Sequence, residues 1–373
     1  MMTRAWHYIL DHALAVPIGA AIALVWANTF SEDYFRLSTS LAFWVNDVGM
    51  AFFFAYALQE VLETMLDGGA LHTWRRAILP VIGAVGGCLG AIAAYEAFVI
   101  SGDETILRAG WPIVCGVDAG ISYFLVKSLI RGKGATAFLL LLAIASNTIG
   151  LVVVGFRAPL VDKRPVGILL IAIAIVVAFG FRKLRLRSFW PALLIAGSLS
   201  WAGFAITGLH PALALLPIVP FFPHAARNLD LFTDQPHGAH DSPRHFEHVF
   251  RVPVQVVLFL FALVNAGVLM RGYGTGSWAI LWGSLAGRPL GILASVGIAV
   301  ALGFHLPQNV TWRGLAVIAA AASIGFVFTL FYATATYAVG NVLQELKTGA
   351  LLTLVGGAIV FFLARLLRVG RFA

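Results

Sequence analysis

Trp111-Pro112-Ile113-Val114-Cys115-Gly116-Val117-Asp118-Ala119-Gly120 decides the fold. The decapeptide lies inside an apolar run long enough to cross a bilayer. At its middle, where a membrane helix wants only hydrocarbon, stands an aspartate between two glycines, with Pro112 a turn and a half upstream. A charge at that depth is costly and marks function by default. Proline, glycine and acid together predict a helix broken at membrane depth, whose half-helix ends expose unpaired N–H and C=O groups to an ion or substrate. The bland alternative is a glycine pair packed on a neighbouring helix with the acid satisfied locally.

The rest of the chain supports a membrane setting. It is 60% hydrophobic and 11% charged, with mean hydropathy +0.91, whereas soluble domains carry about a quarter charged residues. Runs of roughly 18 to 25 apolar residues recur, each enough to span ~30 Å of hydrocarbon. In lipid every backbone polar group needs an internal partner, and strand-like alternation is missing, so the spans are expected to be helices. About twelve are predicted, near 9–29, 41–66, 78–100, 110–131, 134–155, 164–182, 188–205, 208–224, 249–272, 275–303, 312–338 and 347–368. The first 13 residues show no small-residue cleavage site, so span one reads as retained.

Basic residues set the orientation. With both termini cytoplasmic, the inner segments hold Arg75/Arg76, Lys127/Arg131/Lys133, Arg182/Lys183/Arg185/Arg187, Arg227/Arg244/Arg251, Arg313 and Arg365/Arg368/Arg371. The loop with Arg157, Lys163 and Arg164 goes against the rule. The net charge of +8 is therefore membrane topology and not a nucleic-acid footprint. Cys88 and Cys115 fall in spans, which argues against a disulfide.

Further polar positions interrupt the apolar runs. Gly287-Arg288-Pro289-Leu290-Gly291 puts a guanidinium deep in span ten, too far from either end to snorkel. Ser323-Ile324-Gly325-Phe326 is a second candidate break. Ile144-Ala145-Ser146-Asn147-Thr148-Ile149-Gly150 offers two neutral polar side chains where an ion carrier would be expected to hold carboxylates. Glu60 and Glu63 face a cytoplasmic funnel or form an ordinary interfacial pair. The stretch 225–248, a cytoplasmic linker between halves, is rich in histidine; His237, His240, His245 and His248 make it a pH-sensing loop or simply a solvated linker. There is no phosphate loop with lysine, no HExxH and no Cys/His set with metal spacing, so neither an enzyme nor a cofactor or metal is expected.

In order and spacing several stretches resemble the NhaA family of bacterial sodium/proton antiporters. They are Trp26-Ala27-Asn28, Trp44-Val45-Asn46-Asp47 leading to Met50-Ala51-Phe52-Phe53, the run Pro80 to Gly87, and Gly110-Trp111 before Asp118. Later come His210, Phe246-Glu247-His248-Val249, Val264-Asn265-Ala266-Gly267-Val268, the Gly287–Gly291 run and Ile324-Gly325-Phe326. The resemblance covers nearly the whole chain. It implies a single transporter domain over 1–373: an all-α polytopic protein of twelve helices, with inverted repeats in a core over 78–155 and 275–368. Two broken helices, spans four and eleven, would cross at mid-membrane, and transport would follow alternating access in the bacterial inner membrane.

Carried over residue by residue, the resemblance is mixed. The fourth-helix aspartate is Asp118, but the threonine usual before it is Val117. The tenth-helix lysine is Arg288, and the fifth-helix aspartate pair falls on Asn147 and Thr148. The second-helix glutamate aligns with Glu60, while the basic cluster after it is replaced by Leu62 and Glu63. Glu60, His210 and His248 are the positions for a pH response. The outer loop between spans one and two is too short for the hairpin that pairs protomers in the family, so a monomer or weak homodimer is expected.

An amide and a hydroxyl can coordinate Na⁺ through oxygen but cannot carry a proton, and Arg288 cannot titrate as a lysine does. Three readings stay open. One is monovalent cation/proton exchange through Asp118 alone, electroneutral and 1:1. There, Asn147, Thr148 and backbone carbonyls at Cys115, Gly116 and Val117, with Ser323 and Gly325 at the second break, surround the ion. Another is proton- or Na⁺-coupled transport of a small anion or carboxylate using Arg288. The last is a non-transporting sensor on the same fold.

Overall fold

The computed structural model describes residues 15–65, 74–130, 133–157, 165–184, 188–222, 242–269, 273–307, 310–338 and 340–372. All regular structure among them is helical. Five helices are long and apolar enough to cross a membrane, beginning at Ser31, Ile78, Pro165, Thr275 and Asn341. Two helix pairs qualify only together, because each is bent at a short break: Thr105–Cys115 with Ala119–Leu129 by 52°, and Trp312–Ala321 with Phe326–Thr336 by 42°. Shorter apolar helices cover Ala15–Thr29, Gly134–Gly150, Ala192–Thr207 and Val249–Asn265.

The span expected at 208–224 is not a helix. Short 3-10 turns at Pro211–Leu213 and Val219–Phe221 take its place. Pro211, Pro217 and Pro220 each remove a backbone donor and clash with the preceding turn, so an α-helix cannot propagate, however apolar the segment is. The second span begins earlier than expected. Helix α1 (Ala15–Thr29) is followed almost at once by α2 (Ser31–Ala42), where a loop was expected. Glu32 and Asp33 occupy the first turn of α2, where carboxylates complement the helix dipole. A π-turn, Phe43–Gly49, then leads into α3 (Met50–Met65).

The chain divides into two compact units, one made of Met1–Ser38, Thr73–Val154 and Ala262–Ala373, the other of Thr39–His72 and Gly155–Phe261. The second unit packs α3 with α7 (Pro165–Lys183) and α8 (Gly197–Thr207). Alanines 51, 55, 174 and 178 and the rings of Phe189, Phe222 and Phe250 are buried together. Phe52 stacks on Phe250 at 5.3 Å.

The first unit carries α4 (Trp74–Ser101), a 3-10 helix (Thr105–Cys115), α5 (Ala119–Leu129) and α6 (Lys133–Arg157). After α9 (Ser242–Asn265) it resumes with α10 (Thr275–Trp282), a π-turn Gly283–Gly287, α11 (Arg288–Ala301), α12 (Trp312–Ala321), α13 (Phe326–Thr336), α14 (Asn341–Leu352) and α15 (Gly356–Leu366). Helices α4 and α11 meet through glycines. A Cβ on Gly90 would lie 2.4 Å from the Gly287 carbonyl, and one on Gly291 would lie 2.1 Å from that of Gly86. Two G-x-x-x-G surfaces thus let the backbones approach without side chains between them. Elsewhere in this unit the α1–α2 corner seals the end of α9: Tyr34 Oη lies 3.0 Å from the Leu263 and Val264 carbonyls and accepts from Gly267 N–H. Asn28 donates to Val268 and Ser38 to Val264, so carbonyls left open by a helix end find partners away from water.

Candidate functional site

The two breaks lie against each other inside the first unit. Residues 116–118 separate the 3-10 helix from α5, and residues 322–325 separate α12 from α13. Asp118 N–H donates to the Ile324 carbonyl at 2.8 Å, which ties one break to the other by backbone. Glycine is needed where they touch: a Cβ on Gly116 would sit 2.1 Å from that of Phe328, and one on Gly325 would sit 2.5 Å from the Gly116 carbonyl. Ser122 Oγ donates to Ala321 O at 2.7 Å, and Thr329 Oγ1 donates to Ile113 O at 3.3 Å. Each hydroxyl caps a carbonyl at the C-terminal end of the opposite half-helix.

Charge follows the dipoles. Asp118, 6% exposed, sits at the start of α13, where Val327 N–H donates to both carboxylate oxygens at 3.1 and 3.2 Å. That is the positive end of a half-helix, and the carboxylate neutralises it. Arg288, 1% exposed, sits at two negative ends. Its Nη1 donates to Ala322 O at 3.4 Å and its Nη2 to Val114 O, the carbonyls closing α12 and the 3-10 helix. The GxxxG contact of α4 with α11 carries Arg288 to this place, with its Cγ 3.4 Å from where a Cβ on Gly87 would be.

Ser323 lies in the second break, buried, with its hydroxyl bonded back to Ala320 O. Asn147, on α6, grips the first break: Oδ1 accepts from Val117 N–H at 2.8 Å and Nδ2 donates to Val117 O at 3.0 Å. Thr148, next to it, is exposed and donates to Ile144 O at 2.8 Å in its own helix. The carbonyls of Val114, Cys115 and Val117 all accept bonds, from Arg288, Cys88 and Asn147 respectively.

A family model described as Na+/H+ antiporter 1 matches residues 12–364. The chain belongs to that family. Similar proteins include the Na(+)/H(+) antiporter NhaA of Geobacter metallireducens, 36% identical over 99% of this chain and 100% of the relative. The Na(+)/H(+) antiporter NhaA of Desulfitobacterium hafniense is 33% identical over 97% of this chain and 96% of its own length. That of Geobacter sulfurreducens is 36% identical over 99% and 100%. The family resemblance carried by the motifs is borne out, and with it a membrane transporter in place of an enzyme.

In this Na+/H+ antiporter 1 family member, Asp118, Asn147, Arg288, Cys115, Gly116, Val117, Ser323 and Gly325 meet at the two breaks, with Thr148 one residue along α6. Glu60 and His248 lie on helices whose side chains at those positions are outside the described residues, as does the linker segment 225–241. His210 belongs to the second unit, where its Nδ1 accepts from Ala212 N–H at 3.3 Å and lies 3.8 Å from Asp47.

Sequence reading missed three neighbours of the breaks: Cys88, Ser146 and Tyr332. Cys88 Sγ donates to Cys115 O at 3.7 Å, and Ser146 is buried one residue before Asn147 on α6. Tyr332 is wholly buried, with its hydroxyl against Gly150. The one signal for Cys88 was its place inside Gly86-Gly87-Cys88-Leu89-Gly90, two glycines four apart on one helix face.

Proposed function

We propose that the chain is a monovalent cation/proton antiporter of the bacterial inner membrane, multi-pass with both termini cytoplasmic, that exchanges Na⁺ for H⁺ one for one through Asp118. The observation that carries this reading is the buried carboxylate at the N-terminus of α13. One carboxylate holds either one proton or one monovalent cation, so the site carries the same net charge across the membrane in both directions, and the cycle moves no current. Asn147 and Thr148 add no titrating group to it. In this reading 78–155 and 275–368 form inverted repeats, with the breaks crossing near mid-membrane, and alternating access opens Asp118 to each side in turn.

The geometry suits a site that changes occupant without changing shape. Asp118 keeps its bonds to Val327 N–H whether its charge is balanced by Na⁺ or, through its second oxygen, by a proton. Arg288 stays charged throughout and holds the two C-terminal ends, so it acts as a fixed counter-charge while Asp118 exchanges.

A second reading has one observation in its favour. Arg288 Nε has no hydrogen-bond partner among the described residues although it is buried. A small carboxylate or other anion could accept from it, with Asp118 coupling a proton or Na⁺ to that cargo.

The test is solid-supported-membrane electrometry on purified protein in liposomes, with an internal pH dye, under imposed Na⁺ gradients. Proton movement without current is expected. Proton movement with current would mean that another group titrates. Silence in both channels from folded protein would turn the search to small carboxylates and bicarbonate.

A further inference from the structure

The half-helix that leads into the first break has an uncommon form. Thr105–Cys115 is 11 residues of 3-10 helix, whereas longer runs of this form are rare and mark strain or a hinge. Side chains from other helices hold both of its ends. Far from the break, Tyr95 of α4, wholly buried, donates to Leu107 O at 2.8 Å. Tyr337, which closes α13, sets one hydroxyl between Ile106 O at 2.9 Å and Leu107 O at 3.2 Å. A Cβ on Gly110 would lie 2.5 Å from the Tyr95 oxygen and 2.9 Å from that of Tyr337, so both hydroxyls meet over one bare stretch of backbone. At the break, Thr329 of α13 donates to Ile113 O at 3.3 Å, and Arg288 donates to Val114 O.

These bonds set a length. The two half-helices run antiparallel, with rungs from Thr329 to Ile113 and from Tyr337 to Leu107. From 329 to 337 an α-helix rises about 12 Å, at ~1.5 Å per residue. From 107 to 113 the neighbour matches that only at the ~2.0 Å rise of a 3-10 helix, and as an α-helix it would cover about 9 Å. We propose that Tyr95 and Tyr337 are positioning residues whose hydroxyls hold this half-helix in its long form and so seat the first break against α13. Without them the better-bonded α form is favoured. Re-coiling shortens the half-helix and turns the carbonyls of Ile113, Val114 and Cys115, which alters the surroundings of Asp118 without altering its charge. The consequence for exchange rests on the reading of Asp118 given above.

The test joins a distance to a kinetic measurement, both on the full-length protein. Spin labels at Ile106→Cys and Leu366→Cys occupy exposed positions on either side of the break, since Gly370, just beyond Leu366, packs on Leu129 at the end of α5. The native Cys88 and Cys115 are buried away from the label. Pulsed electron paramagnetic resonance should show this distance shortened by about 3 Å in the double variant Tyr95→Phe, Tyr337→Phe. An unchanged distance would overturn the proposal. In liposomes the same double variant, without labels, should show a KM for Na⁺ raised several-fold at a kept maximal rate. A lowered maximal rate at unchanged KM would make the phenols structural props only, which also overturns it. Should the double variant fold poorly, Tyr337→Phe alone should shift distance and KM in the same directions by less, and no shift there is equally fatal. The distance is read without transport. Silence of wild type in the antiport assay would therefore sink exchange through Asp118 and leave the distance to decide the clasp.

Discussion

Asn147 and Val117 hold each other by both ends: the amide oxygen takes the backbone N–H at 2.8 Å, and the amide nitrogen gives to the backbone carbonyl at 3.0 Å. This pairing imitates one rung of a β-ladder on a stretch of backbone that has left its helix. Breaking a helix in lipid strands polar groups, and an amide carries a donor and an acceptor side by side, so it can satisfy both backbone groups of one residue. A carboxylate at 147 can take the Val117 N–H but offers nothing to its carbonyl. The neutral residue is thus a local repair of the break, whatever else it does.

Asn147→Asp should therefore lower stability. It leaves a half-buried carbonyl unpaired beside a new negative charge, a loss of about 1–3 kcal/mol, read as a fall of several degrees in the thermal unfolding midpoint in detergent. Asn147→Leu should cost at least as much, because both bonds go. No fall in either would show that Val117 is satisfied by something else.

Restoring the pair tests the transport reading from the other side. The double variant Asn147→Asp, Thr148→Asp should create or raise Na⁺-driven proton movement in liposomes, and the added carboxylates should make it electrogenic. A correctly inserted double variant with no gain would count against a competent cation exchanger.

Asp118→Asn separates charge from shape. The amide oxygen can still accept from Val327 N–H, but the side chain can bind neither a proton nor a compensating cation charge. Exchange should fall to the protein-free background. The loss of one charge–dipole contact should cost about 0.5–2 kcal/mol, small enough for the variant to purify as a single peak in size-exclusion chromatography. Residual exchange above one-tenth of wild type would remove Asp118 from the cycle.

How much of this was legible beforehand divides by what kind of signal each residue sends. Asp118 and Arg288 announced themselves because charge in hydrocarbon is rare, and Gly116 because it stood beside the acid. The bend at 116–118 follows from Asp118 and its glycines, and the one at 322–325 from the separate stretch Ser323-Ile324-Gly325-Phe326. The clamp by Asn147 could not be read, since nothing in a sequence says which backbone an amide thirty residues away will meet. Cys88 and Tyr332 are silent for a similar reason: a buried thiol and a buried phenol look like ordinary core residues in a sequence. The expected helix at 208–224 failed because hydropathy counts apolar atoms and does not count missing N–H donors. Pro211, Pro217 and Pro220 were visible in the sequence and outweigh the apolar content.

The approach of α4 to α11 supplies the last prediction. Arg288 reaches its two carbonyls because Gly86 and Gly90 let the Gly287–Gly291 turn lie on the backbone of α4. A methyl at Gly90 would be 2.4 Å from the Gly287 carbonyl, a contact that neither backbone can relieve by a rotamer change. Gly90→Ala should then push the helices apart and draw the guanidinium off Val114 and Ala322. Overpacking of this kind costs about 1–3 kcal/mol, against the fraction of a kcal/mol that alanine gains over glycine in a helix. Gly180→Ala, where nothing lies within 4 Å of the added carbon, shares the helix gain without the clash and should be neutral or slightly stabilising. Thermal midpoints of the two variants should therefore move in opposite directions from wild type. If Gly90→Ala unfolds no earlier than Gly180→Ala, close glycine packing is not what seats Arg288 at the breaks.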